Sequence, residues 1–143
     1  MRQKTIEVLL VEDNPDDVEI TKRAFAKGNL LNRLHIVRDG QEALDYLYGQ
    51  GEYAEVPRPG LILLDINLPK VNGIDVLRKI KKDDDLREIP VVMLTVSKRD
   101  EDIVESYDLG VNSYIIKPVE FDKFMETAKN IENYWLHTNE GPK

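Results

Sequence analysis

The sequence predicts an α/β fold in which a mostly parallel sheet carries helices on both faces. Two observations lead there. Short apolar, β-branched runs alternate with helical stretches five times along 143 residues, and βα alternation within one domain implies parallel strands joined by crossover helices. Two of the runs, Leu61-Ile62-Leu63-Leu64 and Val91-Val92-Met93-Leu94, are apolar at every position, as strands buried on both faces have to be.

The elements follow in order. Ile6 to Val11 is a β-rich run ending in acids and Asn14-Pro15, which reads as a buried strand followed by a turn. Pro15 suits a first helical position, Asp16 and Asp17 suit the positive end of the helix dipole, and Val18, Ala24 and Phe25 form an inward stripe. Gly28 closes this helix. The alternation then repeats: a strand at Leu34 to Val37, a helix from about Gly40 to Tyr48, a strand at Leu61 to Leu64, and a helix from Gly73 to Lys81. A strand at Val91 to Leu94, a helix from about Arg99 to Tyr107, a strand at Ser113 to Ile116 and a helix from Glu120 to Leu136 complete it. The last helix offers Phe121, Phe124, Met125, Ala128, Ile131 and Trp135 as its packing stripe. Gly49 to Gly60 is a long Gly- and Pro-rich connection, and loops of about 12 residues or more in compact domains are often functional. His137 to Lys143 reads as a polar, fraying tail.

Length and composition fit one folded domain over residues 1–143, with its core in about 6–136. With 41% hydrophobic and 33% charged residues, this is the composition of a globular protein. A net charge of −7 argues against nucleic-acid binding, which depends on Lys and Arg displacing counterions from phosphates. No apolar run approaches the roughly 18 to 20 residues that span a membrane. The first residues are not expected to act as a signal peptide, because Glu7, Glu12 and Asp13 follow too soon. Without cysteine there is no disulfide, thiolate nucleophile or cysteine-bound metal. The expected location is the cytoplasm.

In an open α/β sheet, ligands bind outside the carboxyl ends of the strands, where strand order reverses. Residues at the predicted strand ends are Glu12 and Asp13, Asp65, Thr95 and Lys117. Two carboxylates about 4 Å apart repel by roughly 4 kcal/mol at an effective dielectric near 20, so three together require compensation. A divalent cation supplies it, and oxygen-only ligands favour Mg²⁺, with Mn²⁺ as the alternative. Lys117 adds a mobile positive charge. Such a set suits phosphoryl transfer to a carboxylate nucleophile. Taken singly, Glu12-Asp13 reads as a solvated helix start, Asp65 as a turn cap, Thr95 as a strand-end residue, Lys117 as a surface lysine and Tyr114 as a packing residue. Their shared register carries the functional reading. His35 and His137 occupy no strand end near the site and read as structural or surface residues.

Leu10-Val11-Glu12-Asp13, Leu64-Asp65-Ile66-Asn67-Leu68-Pro69 with Asn72-Gly73, Leu94-Thr95, and Tyr114-Ile115-Ile116-Lys117-Pro118 stand in that order along the chain. Over about Ile6 to Leu136 the sequence resembles the receiver domains of bacterial response regulators, the CheY-like proteins. The resemblance implies a flavodoxin-like, doubly wound sheet of five parallel strands in the order 2-1-3-4-5 with five helices. It implies that Asp65 accepts a phosphoryl group from a sensor histidine kinase or phosphorelay protein. Asp13, Asp65 and the backbone carbonyl of Asn67 would hold Mg²⁺, with Glu12 assisting through a water. Lys117 would contact one phosphoryl oxygen and Thr95 another, Tyr114 would turn inward as Thr95 moves, and Lys117-Pro118 would be cis. The only catalysis implied is the domain's own phosphoryl transfer and a slow autodephosphorylation.

The Gly49 to Gly60 connection, Pro57-Arg58-Pro59 and Tyr134-Trp135-Leu136 resemble the single-domain regulators that partner bacterial phytochromes. That likeness implies a phytochrome-type kinase and a homodimer through the fourth helix, fifth strand and fifth helix. Output would then be an altered affinity for a partner or a second copy. Val96, beside Thr95, is bulkier than the residue often found there and stiff at χ1, so it is expected to narrow the approach of water and small phosphodonors. Three rivals fit less well. A pseudo-receiver would have lost a site residue. An aspartate-based phosphohydrolase would carry an acid where Asn67 stands, and a nucleotide or flavin binder would carry a glycine-rich phosphate loop.

Overall fold

The computed structural model describes residues 6–105 and 107–140, with side chains described through residue 130. Five strands, β1 (Val8–Val11), β2 (Leu34–Val37), β3 (Leu61–Asp65), β4 (Val91–Thr95) and β5 (Ser113–Ile116), form one sheet in the order β2-β1-β3-β4-β5. Every pairing is parallel, with Val8 opposite both Leu34 and Leu61, Ile62 opposite Val91, and Val92 opposite Ser113. The helices α1 (Pro15–Lys27), α2 (Gly40–Tyr48), α3 (Gly73–Lys82), α4 (Lys98–Glu105) and α5 (Phe121–Glu140) make the crossovers. This is the doubly wound, CheY-like flavodoxin fold. Among the described residues, no helix is long and apolar enough to cross a membrane.

The period of two along a strand sorts the core into two layers. Leu9, Val11, Ile62, Leu64, Val91 and Met93 face a layer built with Ala43, Leu47, Val76, Leu77, Ile80 and Val104 of α2, α3 and α4. Val8, Leu10, Leu61, Leu63, Val92 and Leu94 face the other, with Val18 and Phe25 of α1 and Phe124 of α5. The Phe25 and Phe124 rings, 4.5 Å apart, join α1 to α5.

Helix boundaries depart from expectation where local hydrogen bonding decides them. The fourth helix starts at Lys98 because the Ser97 hydroxyl accepts from the Asp100 N–H. It stops at Glu105 because tighter turns follow, Tyr107 N–H to the Val104 carbonyl and Asp108 N–H to Glu105. Helix α5 continues to Glu140 instead of fraying from His137; the next breakers are Gly141 and Pro142. In its stripe Phe124 is buried, whereas Met125 is exposed; the Ile131 and Trp135 side chains lie outside the described residues. Gly28 does cap α1, but the left-handed residue is Asn29. A Cβ at 28 would lie 1.9 Å from the Phe121 ring, so a larger residue there would require that ring to turn aside.

The Gly49 to Gly60 connection is tied down. It holds a 3₁₀ turn at Gly51–Tyr53, packs Tyr53 and Val56 against the core, and donates the Tyr53 hydroxyl to Glu42. Because it enters the amino end of β3, it stands away from the carboxyl-end rim. His35 binds Glu7 at 2.6 Å, and Arg33 binds the other Glu7 oxygen at 2.7 Å. Those contacts, the His35 bond foremost, hold the Glu7 carboxyl below its ordinary value. The Lys117-Pro118 bond is cis.

Candidate functional site

With β1 between β2 and β3, the chain crosses in opposite directions on its two sides, and a cleft opens at the carboxyl ends of β1 and β3. It has a volume of about 370 Å³, and Glu12, Asp13, Asp65, Asn67 and Lys117 all line it. Asp65 is the last residue of β3, not the first beyond it, since the ladder to β4 extends to the Asp65–Leu94 pair. Thr95 likewise ends β4, and its carbonyl accepts from the Lys117 N–H at 2.7 Å.

The sheet delivers the carboxylates at different depths. Glu12 is 1% and Asp65 7% exposed, while Asp13 is exposed. Ligand oxygens of all three lie within 4.8 Å of one another. Glu12 Oε2 accepts from the Asn14 N–H, while Oε1 lies 2.7 Å from Lys117 Nζ in a close ion pair. Three carboxylates offering hard oxygen donors this close together suit a divalent cation. Burial pushes the Glu12 carboxyl up to about 7; Lys117 pulls it down and the Asp65 charge adds to the rise.

Lys117 reaches the cluster from β5. Its Nζ is 2.7 Å from Glu12, 3.1 Å from Asp17 and 3.3 Å from Asp65. Burial alone would lower an ammonium, but Glu12, Asp65 and Asp17 outweigh it, so Lys117 sits above the ordinary lysine value. It is a fixed, charged group beside Asp65.

Thr95 and Tyr114 are placed differently. The Thr95 hydroxyl is buried without a hydrogen-bond partner and does not line the cleft. Tyr114 is half-buried against the α2–α4 layer. Burial and the acids of α4, Glu105 and Glu101 foremost, push its phenol up to about 12. Val96 stands at the cleft mouth, 64% exposed, its N–H donating to Asp100.

Two acidic lining residues, Asp17 and Asp100, are not placed at the site by the sequence. By sequence, Asp17 reads as a helix-dipole residue alone. The available signal was the short β1–α1 connection: Asn14 caps α1 through the Asp16 and Asp17 amides, which returns the first helical turn to the rim.

The profile of the response regulator receiver domain matches residues 8–129. The chain belongs to that family. Response regulator Rcp1 of Synechocystis sp. is 43% identical over 131 residues, 92% of this chain and 89% of Rcp1. The probable methanogenesis regulatory protein FilR2 of Methanothrix harundinacea is 44% identical over 136 residues, 94% of this chain and 86% of FilR2. Among solved structures, the bacteriophytochrome response regulator AtBRR is 48% identical with a TM-score of 0.82, covering 89% of this receiver domain and 92% of AtBRR. The phosphorylated cyanobacterial phytochrome response regulator RcpA is 45% identical with a TM-score of 0.75, and the Mn²⁺-bound form of Rcp1 42% with 0.72. Each covers 94% of this chain and 96% of its own. The receiver domain described here is therefore a phosphoacceptor of two-component signalling.

Proposed function

We propose that Asp65 is the phosphoacceptor and that one receiver unit, with its core in residues 6–136, works through a Mg²⁺-dependent site built by Glu12, Asp13, Asp65 and the Asn67 carbonyl. The observation that carries this is the position of Asp65: nearly buried at the switch point, 3.3 Å from Lys117, with Glu12 and Asp13 oxygens close by.

A carboxylate oxygen of Asp65 attacks the phosphorus of a phosphohistidine on the kinase. The P–O bond forms as the P–N bond breaks, and the imidazole nitrogen leaves with the electron pair and takes a proton from water. When bound, the divalent cation screens the negative charge that gathers on the transferring group. Lys117 faces one phosphoryl oxygen, and the unpartnered Thr95 hydroxyl is free to donate to another. Phosphorylation adds about −1.5 to −2 charges, which favours the arrangement in which Thr95 approaches the group and Tyr114 turns inward. The same site hydrolyses its own acyl phosphate slowly.

The names of this chain's structural neighbours AtBRR, a bacteriophytochrome response regulator, and RcpA, a cyanobacterial phytochrome response regulator, support a phytochrome-type histidine kinase as partner, while FilR2 is named for a different process. Exposed Ile103 of α4, Ile116 of β5 and Met125 of α5 support a dimer face over these three elements. A cytoplasmic location agrees with the absence of cysteine.

Intact-protein mass after incubation with acetyl phosphate and Mg²⁺ tests the assignment. One added phosphoryl group is expected on wild type and none on Asp65→Asn or with chelator present; addition to the Asn variant would assign the acceptor elsewhere. In the same assay Val96→Ala is expected to speed both uptake and loss by roughly threefold, the equivalent of about 0.6 kcal/mol in barrier height. Unchanged rates would mean that Val96 does not gate the cleft.

A further inference from the structure

The three carboxylates around Lys117 are not equivalent. Glu12 and Asp65 meet Nζ as ion pairs, whereas Asp17 Oδ2, at 3.1 Å, accepts a hydrogen bond from it. Glu12 is the nearest of the three to Nζ, at 2.7 Å, so Asp17 shares the ammonium with it from the helix side. Asp17 belongs to the helix, not to a strand end, and its backbone is fixed on both sides: its N–H donates to Asn14 Oδ1 at 3.1 Å, and its carbonyl accepts the hydroxyl of buried Thr21 at 2.9 Å. Its side chain lines the cleft on the α1 wall, with 28% exposure.

An ammonium has three protons to donate, and the direction of one of them is set here by Asp17. A lysine that is to meet a phosphoryl oxygen on Asp65 must give up, or share, that bond. The Asp17 charge also faces the same cleft and opposes an incoming anion. We propose that Asp17 is a positioning residue that draws Lys117 to the α1 wall and so sets how tightly the site holds a phosphoryl group. The inference rests on the reading in which Asp65 is the acceptor and Lys117 meets the transferred group.

The experiment uses the full chain with saturating Mg²⁺ and titrates beryllofluoride, a phosphoryl mimic for an aspartate. Asp17→Ala is expected to bind it about tenfold more tightly than wild type, the scale of one charge-assisted hydrogen bond discounted for partial exposure. Asp17→Glu is expected to restore wild-type affinity. Asp16→Asn, which removes a charge from the same turn but no contact to Lys117, is expected to stay near wild type. A second readout is the ¹⁵N signal of the Lys117 ammonium in protein without Mg²⁺ or beryllofluoride: observable in wild type, and broadened by faster exchange in Asp17→Ala. Equal or weaker binding by Asp17→Ala overturns the proposal, as does an equal gain from Asp16→Asn, which would reduce the effect to general charge. If wild type takes neither beryllofluoride nor a phosphoryl group, the Asp65 reading itself is overturned, and the ammonium signal still tells whether Asp17 holds the lysine.

Discussion

Lys117→Met, measured with a metal chelator present, is expected to lower the melting temperature by about 7 °C and to slow phosphoryl uptake by about 100-fold. Methionine keeps the unbranched stem, one atom shorter, and removes the charge. Wild-type Lys117 stands between Glu12, Asp17 and Asp65, of which Glu12 and Asp65 are buried. Removing one partner of a buried ion pair commonly costs about 3 to 5 kcal/mol, because the other charge is left in a poor solvent. Two features lower that figure here. Asp17 is partly exposed and falls back on water, and Glu12, already pushed up to about 7 mainly by burial, sheds its charge by taking a proton once the lysine no longer pulls it down. About 2 kcal/mol remains, which in a chain of 143 residues corresponds to the shift stated.

Added Mg²⁺ is expected to narrow the gap. A ligand at 100 times its Kd stabilises the folded state by about 2.7 kcal/mol, and in the variant no lysine competes with it for Glu12 and Asp65. Thermal melts of both proteins across a Mg²⁺ series decide the matter. Equal stability in chelator, or a gap that Mg²⁺ leaves untouched, would show that Lys117 does not act as the cation of this cluster.

Strands were the most legible part of the sequence because sheet burial writes itself into composition: Leu61 to Leu64 and Val91 to Leu94 are apolar throughout and lie wholly inside. The rim residues were legible for the same reason. Once a strand end is known, the next polar residue is placed by geometry, and Glu12, Asp65 and Lys117 do meet within hydrogen-bonding reach. Asp17 was not legible. It lies 100 positions from Lys117, and nothing local separates a helix-start aspartate that faces solvent from one that faces the cleft. Met125 misled for the opposite reason, since an apolar residue beside Phe124 fits the stripe by spacing although the helix turns it outward. The Gly49 to Gly60 connection looked long and loose in composition, but Tyr53 and Val56 anchor it, and a single aromatic in a polar stretch is a weak signal.

Gly73→Ala is expected to cost about 3 kcal/mol, roughly 10 °C in melting temperature, and to impair phosphoryl uptake as well. Gly73 opens α3 behind Asn72, whose side chain caps the helix by accepting from the Asp75 N–H. Its own N–H donates to the Ile66 carbonyl at 2.8 Å, which folds the start of α3 back over the end of β3. A Cβ at this position would lie 2.1 Å from the Asp65 carbonyl oxygen, 2.8 Å from Ile66 Cα and 2.9 Å from the Ile66 carbonyl oxygen. All three obstacles are backbone, so no side chain can rotate out of the way. Either α3 lifts from the sheet or the peptide that carries Asp65 moves, and both disturb the acceptor. Gly51→Ala supplies the contrast. Gly51 has a φ of 57° with nothing within 4 Å of the new Cβ, so the cost is the left-handed conformation alone, about 1 kcal/mol, and the site stands elsewhere. Melting temperature and acetyl phosphate uptake measured on both variants separate the two mechanisms. A loss of stability and uptake in Gly73→Ala, against a small loss of stability alone in Gly51→Ala, is the expected pattern; normal uptake by a destabilised Gly73→Ala would mean that α3 moves away and leaves Asp65 where it is.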